Sequence, residues 1–145
     1  MVEKNSWIKF VTLGCAAVTV IDTVGSVVSR AAAISYAYFG VLSLVAYVGL
    51  GFLVRKSESL LLPATLGMSV AVYDATIGWS ISWMIGPGRV AIKTTLSAAT
   101  IVFTAVTSVG MATLIVVASA AISRMVCSRR EQERIKASDS NSGAA

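Results

Sequence analysis

Residues 12–29 read TLGCAAVTVIDTVGSVVS, and this stretch predicts the fold. Six of its seven polar or polar-tipped side chains recur every three or four residues, which is the spacing of one face of an α-helix. They are Thr12, Cys15, Thr19, Asp22, Ser26 and Ser29. The other positions are mostly Val, Leu, Ile, Ala and Gly. The stretch therefore predicts a helix with an apolar side and a polar side, and Asp22 lies on the polar side.

The composition of the chain is typical of a protein inside a membrane. Of its 145 residues 56% are hydrophobic and 13% are charged, with a mean hydropathy of +0.79. Soluble domains carry roughly 25% charged residues, and a chain this apolar could not cover a water-facing surface. Its apolar runs are continuous, without the alternation of a β-barrel. The composition predicts an all-α integral membrane protein, in which each helix satisfies its own backbone hydrogen bonds.

Four apolar runs have the length of about 20 residues that a hydrocarbon core about 30 Å thick requires. The predicted spans are residues 7–29, 32–54, 60–85 and 96–121. The sequence Gly-Pro-Gly at residues 86–88 predicts a tight turn before the fourth span. Residues 1–136 form one four-helix transmembrane domain in this interpretation, and the Ser- and Ala-rich residues 137–145 form a disordered tail.

The basic residues predict the orientation of the four spans. Nine of the twelve fall on the side that holds both termini: Lys4, Lys9, Arg55, Lys56, Arg124, Arg129, Arg130, Arg134 and Lys136. Because positive charge is concentrated on cytoplasmic loops, both termini are predicted to be cytoplasmic, in the cell (inner) membrane.

The basic tail suggests a lipid contact. We expect the bilayer to be a partner and its anionic head groups to bind this cluster at about 1 kcal/mol per basic residue. The cluster consists of Arg124, Arg129, Arg130, Arg134 and Lys136. In the alternative interpretation the cluster is only the topology signal. The segment is short and tethered, so nucleic-acid binding is not expected.

Two acids lie deep inside predicted spans. Asp22 follows Trp7 by 15 residues and Asp74 follows Leu60 by 14 residues, which places both about 21–23 Å from the inner edge. An ionisable group at such a depth costs on the order of 3 kcal/mol, so it is expected to face protein or water. Two hypotheses stay open. The acids form a proton or cation site, or they clamp helices together through interhelical hydrogen bonds or ion pairs, with Lys93 or Arg30 as the candidate cations.

Small and hydroxyl-bearing residues recur at helical spacing in the other spans. With Asp22 and Asp74 they form a predicted polar seam, whose members are Thr19, Ser26, Ser43, Tyr47, Tyr73, Thr104 and Ser108. Small residues at four-residue spacing let helices approach closely, and hydroxyls bond across the contact. The seam is compatible with tight packing within one bundle or an oligomer, and also with a polar path for a solute.

Ordinary enzyme chemistry has little support in the sequence. The chain has no histidine, and Cys15 and Cys127 are far apart. The usual zinc, haem and nucleophile–histidine arrangements are therefore missing, and no glycine-rich phosphate loop follows a strand. We expect no enzyme activity, no cofactor and no metal.

Two functional hypotheses follow. The first is a proton- or cation-coupled transporter or channel-like protein that acts as a homo-oligomer or with a membrane partner protein. The alternative is a non-catalytic accessory subunit or scaffold whose acids only clamp helices. In the first hypothesis Asp22 is expected to exchange the proton, because Thr19 and Ser26 share its face, whereas Asp74 is flanked by Ala71 and Gly78.

Overall fold

A computed structural model describes residues 4–55, 57, 59–86 and 97–142 of the chain. All regular structure in these residues is helical, which confirms the predicted fold class at that level. The helices are α1 (Lys4–Ala32), α2 (Ala37–Leu53), α3 (Leu61–Tyr73), α4 (Trp79–Ile85) and α5 (Ala98–Ser142). A π-helical turn, Asp74–Gly78, joins α3 to α4.

The helices differ in length and apolar character. Three segments of the described chain are long and apolar enough to cross a membrane: Trp7–Ala32, Leu61–Ile85 and Ala98–Lys136. Helix α2 is apolar but shorter, with 17 residues. The four predicted apolar runs therefore appear as three long helices and one shorter one.

The boundary between α1 and α2 differs from the prediction that a second span begins at residue 32. Helix α1 continues through Ala32, since the alanines after Arg30 favour helix. Ala33 then adopts a left-handed conformation with φ of 53°, which ends the helix. The Ser29 hydroxyl donates to the Ile34 carbonyl at 2.6 Å and closes the turn.

Helix α5 is longer than the predicted fourth span. It continues to Ser142, where the sequence predicts disorder from residue 137. No proline or glycine stands between Met111 and Ser142, so nothing in that stretch breaks the helix. Its 45 residues extend about 68 Å, well beyond the thickness of a bilayer core. Residues 143–145 and the predicted 86–88 turn beyond Gly86 lie outside the described residues.

The helices pack as a four-cornered bundle. Helix α1 packs against α2 and against the rod formed by α3, the π turn and α4, whereas α5 packs against α2 and α3 from the other side. Within the described chain α1 and α5 have no direct packing, so they occupy opposite corners. The apolar core between them is fully buried at Val18, Leu66, Val70 and Val116.

Glycines set how closely the helices approach. A methyl group added to Gly51 of α2 would lie 2.5 Å from the Val116 carbonyl oxygen and 3.0 Å from the Ala120 nitrogen of α5. The backbones of α2 and α5 can meet here because position 51 has no side chain, as in close helix contacts within membranes.

Large apolar side chains are exposed along every long helix. On α5 they include Ile101, Val102, Phe103, Val106, Met111 and Leu114. Monomeric soluble proteins rarely expose apolar surface so extensively. This surface is compatible with contact to lipid.

Candidate functional site

The polar face of α1 points into the bundle for most of its length. Asp22, Ser26 and Ser29 are buried, and Cys15 and Thr19 are half-buried. Thr12 is exposed. Because these residues recur every three or four positions, those from Cys15 to Ser29 lie on the side of α1 that faces the other helices.

The π turn carries the second acid. Asp74 is its first residue and Gly78 its last. Such turns are rare and occur mostly as single insertions in α-helices, frequently at functional sites. Here the turn packs against α1, and it brings Asp74 to the same level as Asp22.

The carboxyl groups of Asp22 and Asp74 meet over Gly78, and we call them the carboxyl pair. A methyl group added to Gly78 would contact Oδ2 of Asp22 and lie 2.6 Å from Oδ1 of Asp74. Both oxygens border the same point, so the two carboxyl groups are direct neighbours. The oxygens fill the space that any side chain at position 78 would need.

Each acid is also held by a tyrosine. The Tyr36 hydroxyl donates to Oδ1 of Asp22 at 2.8 Å, and the Tyr47 hydroxyl donates to Oδ2 of Asp74 at 2.8 Å. Each carboxyl group therefore uses one oxygen for a tyrosine and turns the other toward its neighbour.

The oxygen that Asp22 turns toward Asp74 is unsatisfied. Asp22 is 5% exposed, and its Oδ2 has no hydrogen-bond donor among the described residues. The hydroxyl of Ser26, which is fully buried, likewise lacks a partner there. A buried acceptor without a donor costs about 1–3 kcal/mol, and such groups are uncommon in folded proteins. A proton placed between the two carboxyl groups would supply the missing donor.

A cavity of about 270 Å³ opens beside Asp74, between α2, the π turn and α5. We call it the Asp74 cavity. Its lining consists of Ser43, Leu44, Tyr47, Ala71, Asp74, Ala75, Trp79, Thr107, Ser108, Met111 and Ala112. The sequence favours Asp22 as the more solvated acid, but the structure places the half-buried Asp74 on the cavity wall and Asp22 behind it.

Only some of the other residues of the predicted polar seam lie at the site. Ser43 and Ser108 join Tyr47 on the wall of the Asp74 cavity. Thr104 is exposed and its hydroxyl donates to the Thr100 carbonyl of its own helix at 2.8 Å, away from the site.

Thr19 and Tyr73 form a separate contact beside the carboxyl pair. The Thr19 hydroxyl donates to the Cys15 carbonyl at 2.8 Å, so the Tyr73 hydroxyl is the donor in the 3.0 Å bond between Tyr73 and Thr19. This bond joins α1 to α3.

Arg30, one of the two cations proposed as clamp partners, does not meet the acids among the described residues. Arg30 donates to the Ile85 carbonyl at 2.9 Å and satisfies the end of α4, while Oδ1 of Asp22 is bonded to Tyr36. Lys93 lies outside the described residues. The described residues also contain no group of three or more His, Cys, Asp or Glu side chains arranged to hold a metal ion.

The five residues of the basic cluster have two kinds of surroundings. Arg124 donates to the Arg55 carbonyl at 3.2 Å and to the Ser59 carbonyl at 3.0 Å, so it holds the connection between α2 and α3. The other four residues of the cluster are exposed on the projecting part of α5: Arg129, Arg130, Arg134 and Lys136.

The sequence places Ser82 on the same helical face as Asp74, but it relates neither Ser82 nor Tyr36 to Asp22. In the structure the Tyr36 hydroxyl lies near the hydroxyls of Ser26 and Ser82 as well as Asp22. Tyr36 stands in the turn before α2, where no helical period relates it to Asp22.

No protein-family model, no curated protein and no solved structure matches the chain. The chemistry of the site follows from its own geometry. Two carboxyl groups face each other, each oriented by a tyrosine, and one of them borders a cavity. Such an arrangement can take up and release a proton or a monovalent cation.

Proposed function

We propose that the protein is a four-span membrane protein in which the carboxyl pair takes up and releases a proton during transport of a small solute or cation. One observation carries the proposal. The buried Oδ2 of Asp22, unpartnered among the described residues, lies beside another acceptor, Oδ1 of Asp74.

The helix lengths and the charge pattern support a membrane setting. Three long apolar helices satisfy the length requirement, and the 17 residues of α2 extend about 26 Å, close to the roughly 30 Å of a hydrocarbon core. Basic residues are concentrated on the side of both termini, which supports a cytoplasmic position for both ends.

Electrostatics favours a proton within the carboxyl pair. Two ionised carboxylates about 4 Å apart repel by on the order of 4 kcal/mol at an effective dielectric constant of about 20. Neighbouring carboxylates avoid this repulsion by sharing one proton. That proton would also satisfy the Oδ2 oxygen of Asp22. One bound proton therefore removes both the repulsion between the carboxylates and the cost of the unsatisfied oxygen.

Access to the pair favours Asp74 as the exchanging acid. Asp74 borders the Asp74 cavity, whereas Asp22 is buried behind it. The π turn that carries Asp74 is an irregular helical segment, in which a change of register would move the carboxyl group. A solute in the cavity would therefore act on the proton through Asp74.

Reconstitution into liposomes tests the proposal. Purified protein is compared with Asp22→Asn, Asp74→Asn and the control Glu131→Gln, which neutralises an exposed acid of the basic tail. We expect solute-driven proton flux, read by an enclosed pH-sensitive dye, from the natural protein and from Glu131→Gln. Both Asn variants should lose the flux while keeping their helical circular dichroism. Proton-linked flux that survives both Asn substitutions would refute the proposal.

The hydrogen bonds of Tyr36 and Tyr47 favour a second candidate, an accessory or scaffold protein whose acids clamp helices. These bonds tie the turn before α2 to α1, and the middle of α2 to the π turn. In that case the Asn variants should lower thermal stability, and no proton flux should be found. Exchanging the charges of Asp74 and Lys93 would then restore stability if those two residues form a clamp.

A further inference from the structure

We infer that the Asp74 cavity binds a small organic cation, an ammonium group with a compact apolar body, which competes with the shared proton for Asp74. This inference rests on the proposed function, because it names the class of solute that the carboxyl pair would exchange for its proton.

The charge of the cavity selects a cation. Asp74 is the one charged side chain among the described residues that line it, and Oδ2 of Asp74 accepts from Tyr47 on the cavity wall. A carboxylate between mostly apolar walls lacks full solvation. A monovalent cation would be attracted there and an anion repelled.

The walls select an organic ion over a metal ion. Trp79 contributes an aromatic ring, and Leu44 and Met111 contribute apolar side chains. An aromatic ring attracts an ammonium group by about 0.5–2 kcal/mol. Calcium and magnesium sites are instead usually built with several carboxylates, and Asp74 is the one carboxylate among the described residues that line the cavity.

The volume of the cavity limits the size of the ligand. At about 270 Å³ it is slightly smaller than the roughly 300–1,000 Å³ of pockets for drug-sized molecules. A compact ammonium ion would fit within this volume.

The buried Asp22 beside Asp74 provides the place for the proton that the cation would displace. Asp22 is 5% exposed, and its unsatisfied Oδ2 is directed at Asp74. With the proton present, the pair carries one negative charge. When an ammonium ion binds Asp74 and the proton leaves to solvent, the two carboxylates and the cation together again carry one negative charge. The proton and the cation can therefore replace each other without a change in net charge.

Choline and its uncharged isostere 3,3-dimethyl-1-butanol test the inference, by isothermal titration calorimetry on the purified full-length protein. We expect saturable choline binding that releases a proton, read from the dependence of the heat on the buffer, and at least tenfold weaker binding of the alcohol. Asp74→Asn and Trp79→Leu should each weaken choline binding about tenfold. Trp83→Leu, which changes an exposed tryptophan outside the cavity, should leave it unchanged.

Three results would overturn the inference. They are no choline binding to folded protein, equal binding of the alcohol, and equal effects of Trp79→Leu and Trp83→Leu. The tryptophan variants keep the test valid if Asp74→Asn does not fold. Proton-linked flux of an inorganic cation without choline binding would refute the ligand class and leave the proposed function standing. Choline binding that depends on Asp74 but releases no proton would refute the competition for the proton.

Discussion

The two aspartates have different surroundings although the sequence places them at a similar depth in their spans. Asp22 is buried among side chains of α1 and the turn before α2, and Asp74 stands at the edge of a cavity. Both are oriented by a tyrosine hydroxyl at 2.8 Å. The difference in exposure assigns them different parts in the proposed mechanism, with Asp74 as the exchanging group and Asp22 as its buried neighbour.

Replacing Gly78 by alanine should separate the carboxyl pair. The new methyl group would occupy the space of Oδ2 of Asp22 and Oδ1 of Asp74. We expect a loss of about 1–3 kcal/mol in the free energy of unfolding, as for other overpacked sites, together with loss of proton flux. The matched control is Gly110→Ala in α5, because a methyl group there meets nothing within 4 Å. Equal melting temperatures and equal flux for the two variants would contradict this account of Gly78.

The sequence predicts which face of α1 is buried but not the partners of its residues. Spacing alone places Asp22, Ser26 and Ser29 on one face, and all three are buried. The bond from Tyr36 to Asp22 joins a turn residue to a helix residue, and it depends on the rotation of α1 relative to α2. Helix rotation is set by packing against neighbours, and a single sequence does not record it.

The π turn is the helical element that the sequence does not reveal. Its residues, DATIG, contain no proline and no motif that distinguishes a π turn from an α-helix. The sequence predicts one continuous helical run over residues 60–85, and the rod of α3, the π turn and α4 occupies nearly that range. The apolar composition therefore predicts the length of the helical run. It does not predict the local change of helical register at Asp74.

The contact between α2 and α5 provides a prediction with a control inside the same helix. Gly51→Ala would drive a methyl group against the α5 backbone at Val116 and Ala120, which cannot yield as a side chain can. We expect it to lower the free energy of unfolding by at least about 1–3 kcal/mol. Gly49→Ala, two residues away, meets nothing within 4 Å and should leave stability unchanged. Thermal unfolding of both variants in the same detergent measures the difference, and the reverse order would disprove the close approach at Gly51.

In the bundle as a whole, buried polar side chains meet at one depth of the interior, and apolar side chains cover the outside. The carboxyl pair lies between α1 and the π turn, and exposed apolar side chains cover much of α5. This arrangement suits a protein that spans a bilayer, where the outside contacts lipid and buried polar groups face one another.

The proposed orientation predicts which cysteine an impermeant thiol reagent can reach in intact cells. Cys127 is exposed on α5 beyond the predicted fourth span, on the side of both termini. In a Cys15→Ala background it should be labelled only after the membrane is made permeable. Ser97→Cys, placed in a background that also carries Cys127→Ala, should be labelled in intact cells, because the exposed Ser97 precedes α5 at the outer end of the predicted fourth span. Labelling of Cys127 in intact cells would reverse the topology.

Infrared spectroscopy of protein labelled with ¹³C at the aspartate carboxyl group tests most directly whether Asp22 and Asp74 act as one proton-binding unit. At neutral pH we predict the carbonyl stretch of one protonated carboxylic acid in the natural protein. The intensity of this band should fall both in Asp22→Asn and in Asp74→Asn, because each substitution removes half of the pair. The control Glu131→Gln should leave it unchanged. A natural protein without a protonated aspartate, or a band that neither Asn substitution alters, would contradict the account.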